Sequence, residues 1–391
     1  MFDLKKERMP EKVMIAGLLT RGVDPVLFEE DMHELGQLCA TAGARVLKSF
    51  VQRRDAPMAP TYLGGGKLEE IREAMKQESC NTLVVDSELS AGQVRNMEKI
   101  VQGKVIDRSQ LILDIFAAHA QTTEARIQVE LAQMKTLYPR LTHAWSHFSQ
   151  QVGGIGTRGP GEKQLEVDRR LVQKRILDLT KKLKVIEKSR ATQRKSRKTE
   201  FSAILAGYTN VGKSVLLNAL AHTQVLVQNK LFATLDIASK RVHIQGHGTI
   251  VVSDTVGFLR KLPHHLVASF RSTLEVAKEA NLLLVVLDAS SAWIDRQFET
   301  VRTVLDDLGA HGVRRLVVLN KADRATDPFV RKKLEIAYPD AVWTSALTGD
   351  GVEELKTQIG RCIDGQARDA AEALELAQKN RELNGEPFEY P

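Results

Sequence analysis

Residues 207–214 read Gly-Tyr-Thr-Asn-Val-Gly-Lys-Ser, types and spacing suited to holding a chain of phosphates, G-x-x-x-x-G-K-[ST]. In such a loop backbone N–H groups curl around phosphate oxygens at a helix N-terminus, where unsatisfied donors and the dipole favour negative charge. Gly207, Asn210, Gly212 and Val215 are the backbone of that cradle. Lys213 reaches the outer phosphates, and the Ser214 hydroxyl is placed to ligate Mg²⁺. The apolar run Phe201–Ala206 before the loop reads as a buried strand, and Val215–Leu220 after it has helical spacing. Strand, glycine loop and helix are the context in which this pattern has a mechanism.

Three further signals follow in order. Asp254-Thr-Val-Gly257 closes the apolar run Thr249–Ser253, putting a carboxylate for Mg²⁺ at a strand end and the Gly257 N–H where a γ-phosphate would lie. Leu316–Leu319 then leads into Asn320-Lys-Ala-Asp323. A carboxylate at Asp323 can accept from the N1 and N2 protons of guanine, a donor pair that adenine lacks. Lys321 belongs to the same stretch. Finally Val342-Trp-Thr leads to Ser345-Ala346, where a backbone N–H can meet the guanine O6. A base without the matching donors leaves Asp323 desolvated and unpaired, and such sites reject analogues by about 10⁴-fold. The ordered set predicts a GTP site.

Between the loop and Asp254, a Thr should join Mg²⁺ only in the triphosphate state. Of Thr223, Thr234 and Thr249, Thr234 in Leu231-Phe-Ala-Thr-Leu-Asp236 fits best. Lys213, Thr234 and Gly257 are thus the expected catalytic set, with Ser214, Thr234 and Asp254 the metal ligands. In Ras-like enzymes a Gln directly after the D-x-x-G glycine positions the attacking water. Here that position is Phe258, which can neither orient water nor accept a proton. Slow basal hydrolysis, raised by a partner that orders the site, is the expectation.

The elements that position these residues belong to a chain of 391 residues, 43% apolar, enough for two or three globular cores. The apolar run Leu282–Leu287 is far too short to span a membrane. Asp3, Glu7 and Glu11 at the N-terminus argue against a signal sequence, and the scattered Cys39, Cys80 and Cys362 suit a reducing cytoplasm as small core residues. Residues 181–198 hold nine Lys or Arg and one Glu, a net of +8 against +7 for the whole chain, so everything else carries −1. Basicity gathered in one patch suits a polyanion such as RNA, although a solvated helix face has the same composition.

Residues 1–110 alternate strands (Val13–Leu19, Ala44–Val51, Thr82–Val85, Lys104–Ile106) with helices (Asp24–Ala42, Lys67–Gln77, Ala91–Val101). That rhythm implies a small parallel α/β domain. Leu63-Gly-Gly-Gly-Lys67 starts a helix but lacks Walker spacing, and reads as a turn more readily than as a nucleotide site. In 111–200, Ile127, Leu131, Met134, Tyr138 and Leu141 form one heptad seam, and Val172, Ile176, Leu179, Leu183 and Ile186 another. The glycines of Gly153–Gly161, with Pro160, interrupt them. The expected product is an antiparallel helical hairpin with a glycine-rich tip. His143, Trp145, His147, Phe148, Arg158 and Lys163 near that tip suit stacking on unpaired bases. Trp145 and Phe148 fit closing the hairpin's own core equally well. Residues 201–365 are expected to be the P-loop domain, a doubly wound, mostly parallel sheet, and 366–391 a short amphipathic helix and tail.

Several stretches outside the nucleotide motifs resemble the HflX GTPase family. They are Val105-Ile-Asp-Arg-Ser-Gln-Leu-Ile-Leu-Asp-Ile-Phe116, Gln128-Val-Glu-Leu-Ala-Gln133, Gly153-Gly-Ile-Gly-Thr-Arg-Gly-Pro-Gly-Glu162, Leu231–Asp236, and Asp254–Phe258 with Leu262-Pro-His264. The resemblance runs from about residue 12 to 360. It implies a cytoplasmic GTPase that binds the large ribosomal subunit and its rRNA and separates stalled or stressed ribosomes, with ATP as a further ligand of the N-terminal half; a monomer is expected. It maps Lys213, Ser214, Thr234, Asp254, Asn320 and Asp323 onto the roles above. Val215 replaces a usual Thr, Asp236-Ile-Ala-Ser replaces Asp-Pro-Thr, and Ala118-His-Ala-Gln121 lacks an Arg found in many members. The competing readings are a GTP-dependent ribosome assembly factor and a regulatory switch acting through a protein effector.

Overall fold

The computed structural model describes residues 10–143, 160–195, 200–222, 231–232, 238–261 and 275–383. They divide into two compact units: residues 10–143, 160–193, 231–232 and 259–261 form one, and residues 194–195, 200–222, 238–258 and 275–383 belong to the other.

The first unit opens with a four-stranded parallel sheet of β1 (Glu11–Thr20), β2 (Ala44–Arg54), β3 (Thr82–Val85) and β4 (Lys104–Asp107), in the order β2-β1-β3-β4. Val13–Leu18 and Thr82–Val85 are continuous buried runs, as strands covered on both faces must be. Helices α1 (Pro25–Thr41), α2 (Gly65–Gln77) and α3 (Ala91–Val101) connect them. Their starts are written locally. Asp24 accepts from the Val26 N–H at 2.9 Å before Pro25, and Ser90 and Gln93 form a reciprocal capping box. Met14, Ala16 and Leu18 pack with Phe50, Leu68, Ile71, Leu83, Val85 and Met97. Elements and order match the sequence expectation, with ends shifted by up to three residues. Gly64 is the N-cap of α2 and donates to Gln52 Oε1 at 2.8 Å.

α4 (Arg108–His119) leads into α5 (Thr123–His143) and α6 (Pro160–Lys195). Leu131, Leu179 and Leu183 are buried together, with Ile127, Met134 and Ile176 packed against them, as heptad seams require. Arg175 bonds Glu130 at 2.6 Å, and Arg169 lies over the Tyr138 ring at 5.6 Å. Numbers that rise on one helix fall on the other, so the pair is antiparallel. α6 begins at Pro160, a residue suited to a first turn. Gly161 is therefore helical and not part of the connecting loop. The tip residues Trp145, His147, Phe148 and Arg158, and residues 196–198 of the basic stretch, lie outside the described residues.

The second unit is a six-stranded sheet, built from β5 (Ser202–Gly207), β6 (Ala238–Ile244), β7 (Gly248–Asp254), β8 (Leu282–Asp288), β9 (Arg314–Asn320) and β10 (Val342–Trp343). The order β10-β9-β8-β5-β7-β6 is parallel except for β6, which pairs antiparallel with β7. α7 (Lys213–Leu220) follows β5, α8 (Ile294–Asp307) follows β8 and α9 (Pro328–Ala337) follows β9. β5 has later strands on both sides, so the order reverses there. The crevice beyond its carboxyl end is where open α/β sheets place ligands. α10 (Val352–Leu383) is one helix, continuous across residue 366. No helix among the described residues is long and apolar enough to cross a membrane.

Candidate functional site

Strand register gathers the motif residues. Leu205 pairs with Asp254, Gly207 with Val286, Asp288 with Asn320, and Leu319 with Trp343. Four separate stretches therefore end at one edge of the sheet.

At the phosphate pole, Gly212 has φ +96 and a Cβ there would meet the Asn320 side chain, so glycine is required on both counts. Lys213 is 6% exposed, and its Nζ donates to the Gly207 carbonyl at 3.1 Å and the Tyr208 carbonyl at 2.9 Å. Burial pushes its ammonium down to about 8, against an opposing pull from Asp254. The Ser214 hydroxyl donates to Asp254 Oδ2 at 2.5 Å, bringing two hard oxygen donors together. The Asp254 stretch is stitched to the loop: Phe258 N donates to Gly207 O at 3.0 Å and Thr209 N to Phe258 O at 2.8 Å. A Cβ on Gly257 would lie 2.8 Å from Thr209 Cα and 3.0 Å from Lys213 Nζ, so only glycine fits. Phe258 is 3% exposed, inside the core with Ile204, Ala206, Val285 and Leu287. Its ring is committed to packing.

At the base pole, Asp323 is exposed and accepts from the Ser345 hydroxyl at 2.7 Å. Asn320 is 2% exposed. Its Nδ2 donates to Val211 O at 2.8 Å, while its Oδ1 accepts from Ala346 N at 3.0 Å and the Thr344 hydroxyl at 3.2 Å. One amide thus fastens the phosphate loop to the 345–346 turn. Lys321 does the same on the outside, bonding Asn210 O at 2.8 Å and Asp288 at 2.7 Å. Asn210 and Lys321 are both left-handed, with φ of 61 and 62. Val215 sits half-buried in the first turn of α7. Thr234 and Asp236 lie outside the described residues.

Two residues not singled out from sequence belong to this frame. Asp288 ends β8 and anchors Lys321, a carboxylate closing an apolar strand as Asp254 does. Thr344, fully buried, orients Asn320. Away from the site, Cys39 is buried and its thiol is pushed up to about 12 by desolvation, an inert core residue.

Three family models match in succession: "GTP-binding GTPase N-terminal" over residues 29–117, "GTP-binding GTPase Middle Region" over 119–197 and "50S ribosome-binding GTPase" over 202–321. Among solved structures, a GTP-binding protein of Sulfolobus solfataricus in complex with GDP is 25% identical, covering 90% of this chain and 99% of that one, at a TM-score of 0.45. GTPase HflX of Escherichia coli is 42% identical, over 86% of this chain and 80% of its own length. GTPase HflX of Flavobacterium psychrophilum is 46% identical, over 82% of this chain and 78% of its own. With all three models in order along its length and relatives this similar over most of both chains, the chain belongs to the HflX family of GTPases.

Proposed function

We propose that the chain binds GTP with Mg²⁺ at the carboxyl edge of the six-stranded sheet, hydrolyses it, and uses that cycle on the large ribosomal subunit to split or rescue stalled ribosomes. The observation that carries the nucleotide reading is the single frame joining the two poles, with Asn320 bonded to Val211 and Ala346 and Lys321 bonded to Asn210 and Asp288. In this reading the backbone from Gly207 to Val215 holds the phosphates. Lys213 exchanges neutral carbonyls for phosphate oxygens, a charge-assisted contact. Asp323, held by Ser345, reads the guanine N1 and N2 protons, and the turn at Ala346 faces O6.

The donor set fits Mg²⁺: the Ser214 hydroxyl and the Asp254 carboxylate converge to 2.5 Å, and the hard cation prefers oxygen. Those two residues would hold it, with Thr234 joining in the triphosphate state. When bound, it neutralises charge developing on the β- and γ-oxygens. Gly257 offers its N–H to the γ-phosphate, and the buried ring of Phe258 contributes nothing to positioning water. Hydrolysis by the free protein is therefore slow, and the ribosome supplies what the turn lacks.

The ribosomal part is supported by the match to "50S ribosome-binding GTPase" and by the likeness to GTPase HflX proteins. The basic composition of residues 181–198 suits contact with rRNA phosphates. A monomer acting in the cytoplasm, with ATP as a second ligand of the N-terminal half, completes the reading. Pelleting with large subunits at low and high salt, coupled to turnover assays, tests it. Binding should weaken steeply with salt and subunits should raise GTP turnover. Neutralising Arg190, Arg194 and Lys195 together should flatten the salt dependence and spare basal turnover. Equal pelleting and stimulation in that variant would move the contact elsewhere.

A further inference from the structure

Six threonines are buried among the described residues: Thr41, Thr61, Thr82, Thr209, Thr255 and Thr344. Five bond their hydroxyls within the chain. Thr41 donates to Gln37 O at 2.9 Å, Thr61 to Leu63 O at 2.6 Å, Thr82 to Glu11 at 2.7 Å, Thr255 to Leu205 O at 2.9 Å and Thr344 to Asn320 at 3.2 Å. Thr209 differs. It is 5% exposed, and its Oγ1 has no hydrogen-bond partner among the described residues. Burying a hydroxyl unpaired sacrifices its hydration, a cost that a valine of the same shape would avoid. A group held in that way needs a reason beyond packing.

Thr209 belongs to the phosphate loop, between Tyr208 and the left-handed Asn210, and lies with Lys213 and Gly257 in the second unit. Its backbone is fixed there, the N–H donating to the Phe258 carbonyl at 2.8 Å. Its side chain faces the Gly257 turn. A Cβ built on Gly257 would lie 2.9 Å from Thr209 Cγ2 and 3.0 Å from Lys213 Nζ. The threonine side chain and the lysine ammonium therefore flank one point beside Gly257. Oγ1 shares the Thr209 β-carbon with that methyl, so one staggered rotation about χ1 exchanges the two positions.

In the reading above, that point borders the γ-phosphate, to which Gly257 offers its N–H and toward which Lys213 reaches. An ionised phosphate oxygen accepts only, and a hydroxyl can donate to it. Most donors of the loop serve phosphates that GTP and GDP share. A donor on the Gly257 side meets its acceptor in GTP alone. Phe258, buried in the core, brings nothing polar to the same region. Were Thr209 there only to fill the space under Gly257, valine would do so without an unpaired hydroxyl.

We propose that Thr209 is a specificity-determining residue whose hydroxyl donates to a γ-phosphate oxygen and so favours GTP over GDP. The inference rests on the GTPase reading above and deepens it. It is tested on the full chain with Thr209→Val and Thr209→Ser, titrated in Mg²⁺ with GDP and with the non-hydrolysable β,γ-imido analogue of GTP, alongside thermal melting. Losing a hydrogen bond to a charged oxygen should weaken binding of the analogue to Thr209→Val by about tenfold, with GDP affinity within about twofold of wild type. Its melting temperature should be no lower, since no bonded hydroxyl is removed. Thr209→Ser should bind both nucleotides as wild type does. Unchanged affinity of Thr209→Val for the analogue overturns the proposal, even where turnover falls, because the hydroxyl would then serve the attacking water. An equal loss of GDP affinity, or a lower melting temperature, also overturns it by marking the hydroxyl as structural. A wild-type chain that binds neither nucleotide would overturn the GTPase reading itself, a distinguishable result.

Discussion

Lys213 and Arg108 are the most deeply buried cations among the described residues, at 6% and 2% exposure, and their surroundings differ in kind. Arg108 lies against Glu34 and Asp86. Burial alone would lower its pKa, yet the two carboxylates hold it above the ordinary value. Lys213 bonds two neutral carbonyls, and burial overrides the pull of Asp254 to bring it down to about 8. A cation neutralised in place orients its neighbours. One left short of negative charge inside a glycine cradle is where an incoming anion gains most, because attraction in a low-dielectric pocket is weakly screened.

The largest effect should come from removing the under-neutralised cation. Lys213→Ala should abolish measurable GTP turnover, a loss on the order of 10³-fold or more. The fold should survive, because the hydrogen-bond partners left behind are carbonyls and the buried Asp254 keeps the Ser214 hydroxyl. Turnover assays with circular dichroism check both halves, and near-normal turnover would sink the phosphate reading of the loop.

The opposite pole of the same site gives the next effect. Asp323→Asn should move preference from guanine toward xanthine nucleotides, since the amide can donate where xanthine carries a carbonyl in place of the amine. A shift of about 10²-fold in the ratio of affinities is expected, within the range by which hydrogen-bonding sites discriminate analogues. Competition binding with GTP, XTP and ATP reads it directly. Unchanged preference in a folded variant would mean Asp323 does not read the base.

Both of these poles were legible in the sequence because each is written within a few consecutive residues: Gly207–Ser214, Asp254–Gly257, Asn320–Asp323 and Ser345–Ala346. The parallel α/β rhythm of the first unit and the heptad seams of α5 and α6 were legible for the same reason, local periodicity. What escaped depends on partners far away in the chain. Asp288 gains its role only because β8 and β9 pair in a register that sets it opposite Asn320. Nothing adjacent in the sequence marks Glu30, Asp31 and Glu34 on α1 as buried. They are buried against cations from far along the chain, Glu34 against Arg108 and Asp31 against Arg260, 229 residues away. β6, Ala-Ser-Lys-Arg-Val-His-Ile, has little strand signal of its own and is a strand by virtue of its antiparallel pairing with β7.

The smallest effect is also the most direct measure of the contrast between the two cations. With Lys213 at about 8 in the folded chain and 10.5 as the ordinary value, the native state binds fewer protons than the unfolded state between those pH values. Its folded pKa is depressed, so the charged lysine is a destabilising burden below pH 8. That burden is relieved as pH rises toward 10.5, by about 3 kcal/mol at most. Binding of GDP phosphates should favour the ammonium and raise its pKa, so the protein should take up protons on binding. Near pH 8 the uptake should be about half a proton, fading toward zero by pH 6.5, where the lysine is already charged. Calorimetry of GDP binding in two buffers of different ionisation enthalpy separates that uptake from the intrinsic heat. Lys213→Met should erase it in whatever binding remains, while Lys261→Met, whose ammonium is paired with Asp31 and Asp86, should leave it intact. Uptake that persists in Lys213→Met would assign the proton to another group and remove the electrostatic contrast between the two sites.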